Sequence, residues 1–420
     1  MLAATATAFT SPSHALFIDL ACAWVCATGR RTICGMVAVM DPTSRGAHDA
    51  YHRLVRAGAW SLDALWGVIV TFAVAHVGPG PIVVVLDDTL LHRPGRKVDG
   101  AGSWRDAVRS TANRVVHARG LNLVVLAVRI NPPWGGMPIA VPVGVSLHRK
   151  GGDTLGRLAA ALVRRLAERL PERDFVLCAD GAYATLAGQS LPRTTVVSRL
   201  RRDAALYGPR PPRTGRRGRP RLRGERLPTP PELAAGVVAR DWSKVTVEWR
   251  GRTETRLVWS KEVLWFRVCR QALVRLVVMR DPKGLEPDDY FFTTDLAMAV
   301  PDVISVYAGR WAIEVCHRDV KQLVGGEQPQ SWKHRGPERA AALAFWMHAA
   351  VWLAYLAASG DQPAMIHRDW YPQKTTPSFA DAMAEVRRAL WRQRICPDSE
   401  PAALTQEMTT VLVEALAAAA

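Results

Sequence analysis

PIVVVLDDT, residues 81–89, decides the fold class of this chain. A continuous β-branched run of this kind reads as a strand buried on both faces, and it ends on two adjacent carboxylates, Asp87 and Asp88. Similar runs follow at 121–130 (LNLVVLAVRI), 138–148 (PIAVPVGVSLH), 175–183 (FVLCADGAY) and 194–200 (TTVVSRL), with a helical stretch from Thr154 to Leu170 among them. Strands interleaved with a helix predict a mixed α/β sheet covered on both faces. In such sheets, polar residues at the carboxyl ends of strands stand in a crevice, which singles out Asp87, Asp88 and Asp180.

Upstream, residues 12–78 show helical apolar spacing broken by basic turns, which suits either a helix-turn-helix-like module or a helical cap on the next domain. WGVIVTFAVAHVG, 66–78, is shorter than the about 20 residues a bilayer span needs and reads as a core helix. The run 340–358 nearly reaches that length, but it contains His348 and is rich in alanine, so a buried helix is expected.

Downstream, residues 199–231 are packed with Arg, Gly and Pro and cannot build a core. Within them RRGRPRLRG, 216–224, resembles a minor-groove hook, and Arg216, Arg217, Arg219 and Arg221 are its candidate DNA contacts. A solvated basic loop binding phosphate without sequence preference is the alternative. Strand-like runs then occupy about 241–295, helix returns from Val303 through Val324, a long apolar helix begins at Glu338, and a helical tail follows Ser378.

Bulk properties agree with a nucleic-acid partner. The chain has 420 residues, 49% of them hydrophobic, enough for two or three domains with substantial cores. Its 55 Lys plus Arg against 38 Asp plus Glu leave a formal charge of +17, which favours a polyanion through release of phosphate counterions. The seven cysteines form no C-x-x-C pair and have no histidine at zinc-finger spacing, so they read as reduced thiols of a cytosolic protein. No Lys or Arg precedes the first apolar stretch, which argues against a secretory signal, and a cytoplasmic location without membrane attachment is expected.

The chemistry converges on three carboxylates: Asp88 and Asp180 at strand ends, and Glu314 within a helix bearing basic neighbours. Hard cations such as Mg²⁺ take oxygen ligands, and two of them can serve the attacking and leaving oxygens of phosphoryl transfer. In VYAGRWAIEVCHRDVK, 306–321, Tyr307, Arg310, Glu314 and Lys321 stand at offsets 0, 3, 7 and 14. On one continuous helix they fall within roughly 60° of each other. An ordinary solvent-exposed Arg310–Glu314 pair is the plainer explanation of two of them.

The spacing Y-x2-R-x3-E-x6-K resembles the signature of a large group of bacterial insertion-sequence DDE transposases. LDDT, the following RKVDGAGSWRDAVRS and CADGAY resemble that group's first and second acidic motifs, and the likeness covers about residues 30 to 390. It implies a ribonuclease-H-like mixed sheet with flanking helices, with residues 1–79 a helical, DNA-binding N-terminal domain and 80–200 the first part of the catalytic domain. Residues 201–298 are then a basic linker and β-rich insertion domain, 299–360 the catalytic helix region, and 361–420 a helical C-terminal region. The resemblance makes Asp88, Asp180 and Glu314 ligands of two Mg²⁺ ions, with Mn²⁺ as a substitute. Asp87 remains a rival for the first place, because neighbours on a strand point oppositely and only one can face the site. Tyr307, Arg310 and Lys321 would contact DNA phosphates, and one of Trp242, Trp249, Trp259 and Trp265 could stack on an extruded base. The implied activity is cleavage at element ends and strand transfer by a homodimer on double-stranded DNA. A nuclease that cuts without joining, and a silent DNA-binding derivative, are the competing expectations.

Overall fold

The computed structural model describes residues 1–111, 113–212, 221–249, 251–395 and 406–418. Its elements in chain order are α1 (Ser11–Cys26), α2 (Ile33–Val37), α3 (His48–Ala57), α4 (Leu62–Val74), β1 (Ile82–His92), β2 (Gly102–Arg105), β3 (His117–Ile130), β4 (Ile139–His148), α5 (Leu155–Arg169), β5 (Phe175–Ala179) and β6 (Thr194–Arg199). The second half adds α6 (Pro230–Ala235), β7 (Ser243–Trp249), β8 (Arg252–Val263), β9 (Val274–Arg280), β10 (Asp289–Thr293), α7 (Val300–Ala308), α8 (Trp311–Gln322), α9 (Gly336–Ser359), α10 (Phe379–Ile395) and α11 (Gln406–Ala418).

The strand read from PIVVVLDDT is central. β1 pairs antiparallel with β3 on one side and parallel with β5 on the other, β4 pairs antiparallel with β3, and β6 runs parallel to β5. The resulting order β4-β3-β1-β5-β6 is the expected ribonuclease-H-like sheet. Val84, Val85 and Leu86 are fully buried because helices cover both faces, which explains their unbroken apolar character. α5 covers one face, with Leu162 filling the space beside Gly144 of β4, and α8 covers β1 on the other.

The sheet and its helical cap continue beyond this core. The β-rich stretch does not stand apart as an insertion domain: β10 pairs antiparallel with β6, and β9, β8 and β7 extend the same sheet outward. Composition identifies strands but not the edge they join. The N-terminal helices pack on the common core. The Trp24 indole donates to Val324 O at 2.9 Å, the Trp346 indole to Leu65 O at 3.0 Å, and Arg387 Nε to Val25 O at 2.9 Å. α9 is long and apolar enough to cross a membrane, yet Ala344, Phe345 and Trp346 within it are fully buried in the protein interior.

The stretch 303–324 is two helices. A Cβ at Gly309 would collide with the guanidinium of Arg129, and that side chain also reaches the carbonyls of Ser305 and Val306 at 3.4 and 3.5 Å. Gly309 leaves room for that guanidinium where α7 ends, and α8 restarts after Arg310 with α-helical backbone at its cap.

Candidate active site

Alternation along β1 sends Asp87 and Asp88 to opposite faces, and their partners identify each face. Asp88 Oδ1 accepts from the Tyr183 hydroxyl at 2.8 Å, on the side of Asn122, His148 and α5. Burial raises the Asp88 carboxyl above its usual range, while hydrogen bonds from Tyr183 and Asn122 and the nearby His148 pull it back. Asp87 Oδ2 instead lies 3.5 Å from the Arg310 guanidinium, whose other nitrogen donates to Glu314 Oε1 at 2.6 Å.

Asp180, directly after β5, lies close enough to Asp88 to help raise its carboxyl. The parallel register pairs Val85 with Cys178 and Leu86 with Ala179, the last pair of the ladder, so Cys178 shares the face of Val85 and Asp87. Cys178, on that face one pleat below, feels Arg310 and Arg129, and burial lifts its thiol to about 12. Tyr307 feels Arg310, Arg199 and Asp180 from the same side. The structure thus brings Asp87, Arg310 and Glu314 together on one face of β1, holds Asp88 by Tyr183 on the other, and sets Asp180 at the end of β5 within electrostatic reach of both Asp88 and Tyr307.

The electrostatics follow from this crowding. Burial raises the Asp87 carboxyl to about 7; Arg310 opposes that rise, and Asp88 and Glu314 add to it. Arg310 is itself largely buried, but Tyr307, Asp87 and Glu314 hold it firmly charged against the desolvation that would discharge it. A guanidinium spanning two carboxylates occupies the position of a cation shared between them. The donor set around it is oxygen only, the preference of hard divalent ions.

Other expected residues are distributed differently. Tyr307 lies on α7, so the single-helix face predicted for it does not form; it is buried against Phe291, with ring centroids 4.8 Å apart, beneath the Arg310 guanidinium. Burial pushes its hydroxyl up to about 12. Lys321 stays on α8 with Glu314, near Glu327 and Asp106, and burial lowers its ammonium. Arg221 is exposed, whereas Arg216, Arg217 and Arg219 lie outside the described residues. Among the four tryptophans, Trp249 and Trp265 pack on Phe291 and Phe292 as core residues. Trp242 carries the Arg280 guanidinium on its face, and Trp259 is half-buried. Sequence reasoning missed Trp311, which is exposed at the first turn of α8 beside Arg310. It also missed His92, whose ring nitrogens lie 2.8 Å from Glu327 and 2.9 Å from Asp106, bracing the end of β1. The tryptophan inside the quoted helix motif was a readable signal, whereas the His92 brace joins segments too far apart in sequence to be foreseen.

Comparison with known proteins agrees with the geometry. Residues 13–256 match the family described as DDE superfamily endonuclease, and residues 267–337, which include Glu314, match that of the archaeal putative transposase ISC1217. No curated protein matches the chain. With the first match spanning more than half of the chain, over a ribonuclease-H-like sheet that gathers acidic residues at one edge, this protein belongs to the DDE endonuclease superfamily, in its insertion-sequence transposase branch.

Proposed function

We propose that the chain binds the ends of an insertion sequence and carries out metal-dependent strand cleavage followed by strand transfer, with Asp87, Asp180 and Glu314 as the acidic set. The observation that supports this reading is the Arg310 bridge from Asp87 to Glu314, with Asp180 directly after the neighbouring parallel strand. The all-oxygen donors, already sharing one cationic group, fit divalent ions of the Mg²⁺ class, with Mn²⁺ as a substitute. Two such ions, when bound, supply charge neutralisation at the attacking and departing oxygens.

The residues of the chain position the reactants. The three carboxylates would hold the ions, and the Arg310 fork beside them has the geometry to take a DNA phosphate bidentately. Lys321 adds a point charge two turns further along α8. Tyr307 supports Arg310 from below, and the exposed Trp311 indole is placed to stack on an unpaired base. Water and then a DNA 3′-hydroxyl serve as nucleophiles, and the basic segment containing Arg216, Arg217, Arg219 and Arg221 tethers the duplex. The working assembly is a homodimer on two element ends, in the bacterial cytoplasm with the nucleoid.

A plasmid assay with the element's own ends tests the reading. Excision with reinsertion supports it; nicking alone leaves a nuclease without joining, and binding alone leaves a silent derivative.

A further inference from the structure

Far from the carboxylates, the N-terminal cap holds a second cluster of donor atoms. Cys34 lies on α2, and His48 and His52 stand one turn apart on α3, so both imidazoles project from the same helix face. The Cys34 sulfur is 3.2 Å from His48 Nε2, and the rings of His48 and His52 are 4.8 Å apart at their centroids. One donor atom from each residue lies within 4.8 Å of the others, and all three residues are exposed.

We propose that Cys34, His48 and His52 form a thiolate–imidazole site for Zn²⁺ that fastens α2 to α3, separate from the carboxylate centre. Zinc bonds of about 2.3 Å to sulfur and 2.0–2.1 Å to nitrogen set donors about 3.3–3.6 Å apart in a tetrahedron, so side-chain rotation suffices to close the set. One sulfur and two nitrogens select a borderline-soft ion and disfavour Mg²⁺. Among the described residues, His52 makes no hydrogen bond, so its ring nitrogens are not committed elsewhere.

Cys34 and His52 line a cleft of about 310 Å³, which Arg56, Trp332 and Lys333 also line. Trp332 and Lys333 belong to the segment between α8 and α9, which the Asp99 carboxylate and backbone tie to His334 and Trp332. The site therefore sits where the helical cap meets the strap that follows the Glu314 helix.

The test uses the full chain, kept reduced, with Co²⁺ as the probe and Zn²⁺ as competitor. Thiolate-bound cobalt gives a sulfur-to-metal charge-transfer absorption that an all-oxygen centre cannot produce. The expected result is one equivalent of this absorption per chain, displaced by Zn²⁺, absent in Cys34→Ser and unchanged in Asp87→Asn. His48→Ala and His52→Ala should each weaken Co²⁺ binding by on the order of tenfold or more, since losing a ligand costs at least as much as losing its outer partner. Zinc should also raise the melting temperature of the wild-type chain but not of Cys34→Ser, with metal-free melting curves alike as the folding control. Absence of the absorption in the wild type, its persistence in Cys34→Ser, or wild-type titration by both histidine variants would each overturn the assignment.

Discussion

Arg310 reaches Asp87 at 3.5 Å and Glu314 at 2.6 Å, so one guanidinium joins the middle of β1 to the first turn of α8. Two carboxylates that would otherwise repel one another are held beside the sheet edge by a charge of the chain's own. The arrangement makes the roles of neighbouring residues separable by experiment.

Asp87→Asn and Asp88→Asn should behave differently. The first removes an acidic ligand from the face of Glu314 and should lower strand cleavage by orders of magnitude while leaving end-DNA binding intact. The second weakens the hydrogen bond from Tyr183 and should cost about 1–3 kcal/mol of stability, with the folded fraction still cleaving. Cleavage rates and thermal melting on both variants decide the matter; a silent Asp88→Asn beside an active Asp87→Asn would reverse the assignment.

Stability of the metal-free chain should fall as pH rises from about 4 to about 7, the window between the ordinary carboxyl value of 3.8 and the raised value of Asp87. In that window the folded state keeps a proton that the unfolded chain has lost, so the slope is negative, at most about 1.4 kcal/mol per pH unit for this one group. Metal binding should release that proton below pH 7. Chemical denaturation across this range, compared with Asp87→Asn, checks it: an identical slope in the variant would place the titration elsewhere.

Glu314→Gln and Arg310→Ala separate chemistry from support. Glutamine retains size and helix propensity, so cleavage should collapse with little loss of fold. Alanine at 310 leaves Asp87 and Glu314 facing each other without compensation, and should cost about 3 kcal/mol in the metal-free chain, largely recovered when Mg²⁺ or Mn²⁺ is added. Melting curves with and without the ion measure this recovery, and an Arg310→Ala variant insensitive to metal would argue against a shared cation position.

The basic segment makes a prediction of its own. Neutralising Arg216, Arg217, Arg219 and Arg221 together should flatten the dependence of log K on log salt by up to about 3.6, if each contacts a phosphate. Fluorescence anisotropy at several salt concentrations reads the slope, and an unchanged slope would move the phosphate contacts to other arginines.

Much of this was legible from local pattern, and what was not depends on pairing at a distance. The β1 run announced a strand buried on both faces, and the apolar stretch of α9 announced a core helix, because burial writes itself directly into composition. The different surroundings of Asp87 and Asp88 depend on the side on which α8 packs, which a single strand does not record. The break at Gly309 depends on Arg129, far upstream on β3. The β-rich stretch read correctly as strands, but its attachment to β6 through β10 is a long-range pairing with no local signature.

That attachment has a structural consequence for how the chain can change. The polypeptide leaves β6 at Arg199, builds β7 to β9 on the outer side of the sheet, and comes back beside β6 at Phe291, which is paired with Arg199 itself. The long excursion between them is a loop closed at its own point of departure. Residues can be gained, lost or exchanged within it while the strand leading into the Glu314 helix keeps the same anchor. The distance from Glu314 to the strand-end aspartates is thereby insulated from the part of the chain most exposed to remodelling.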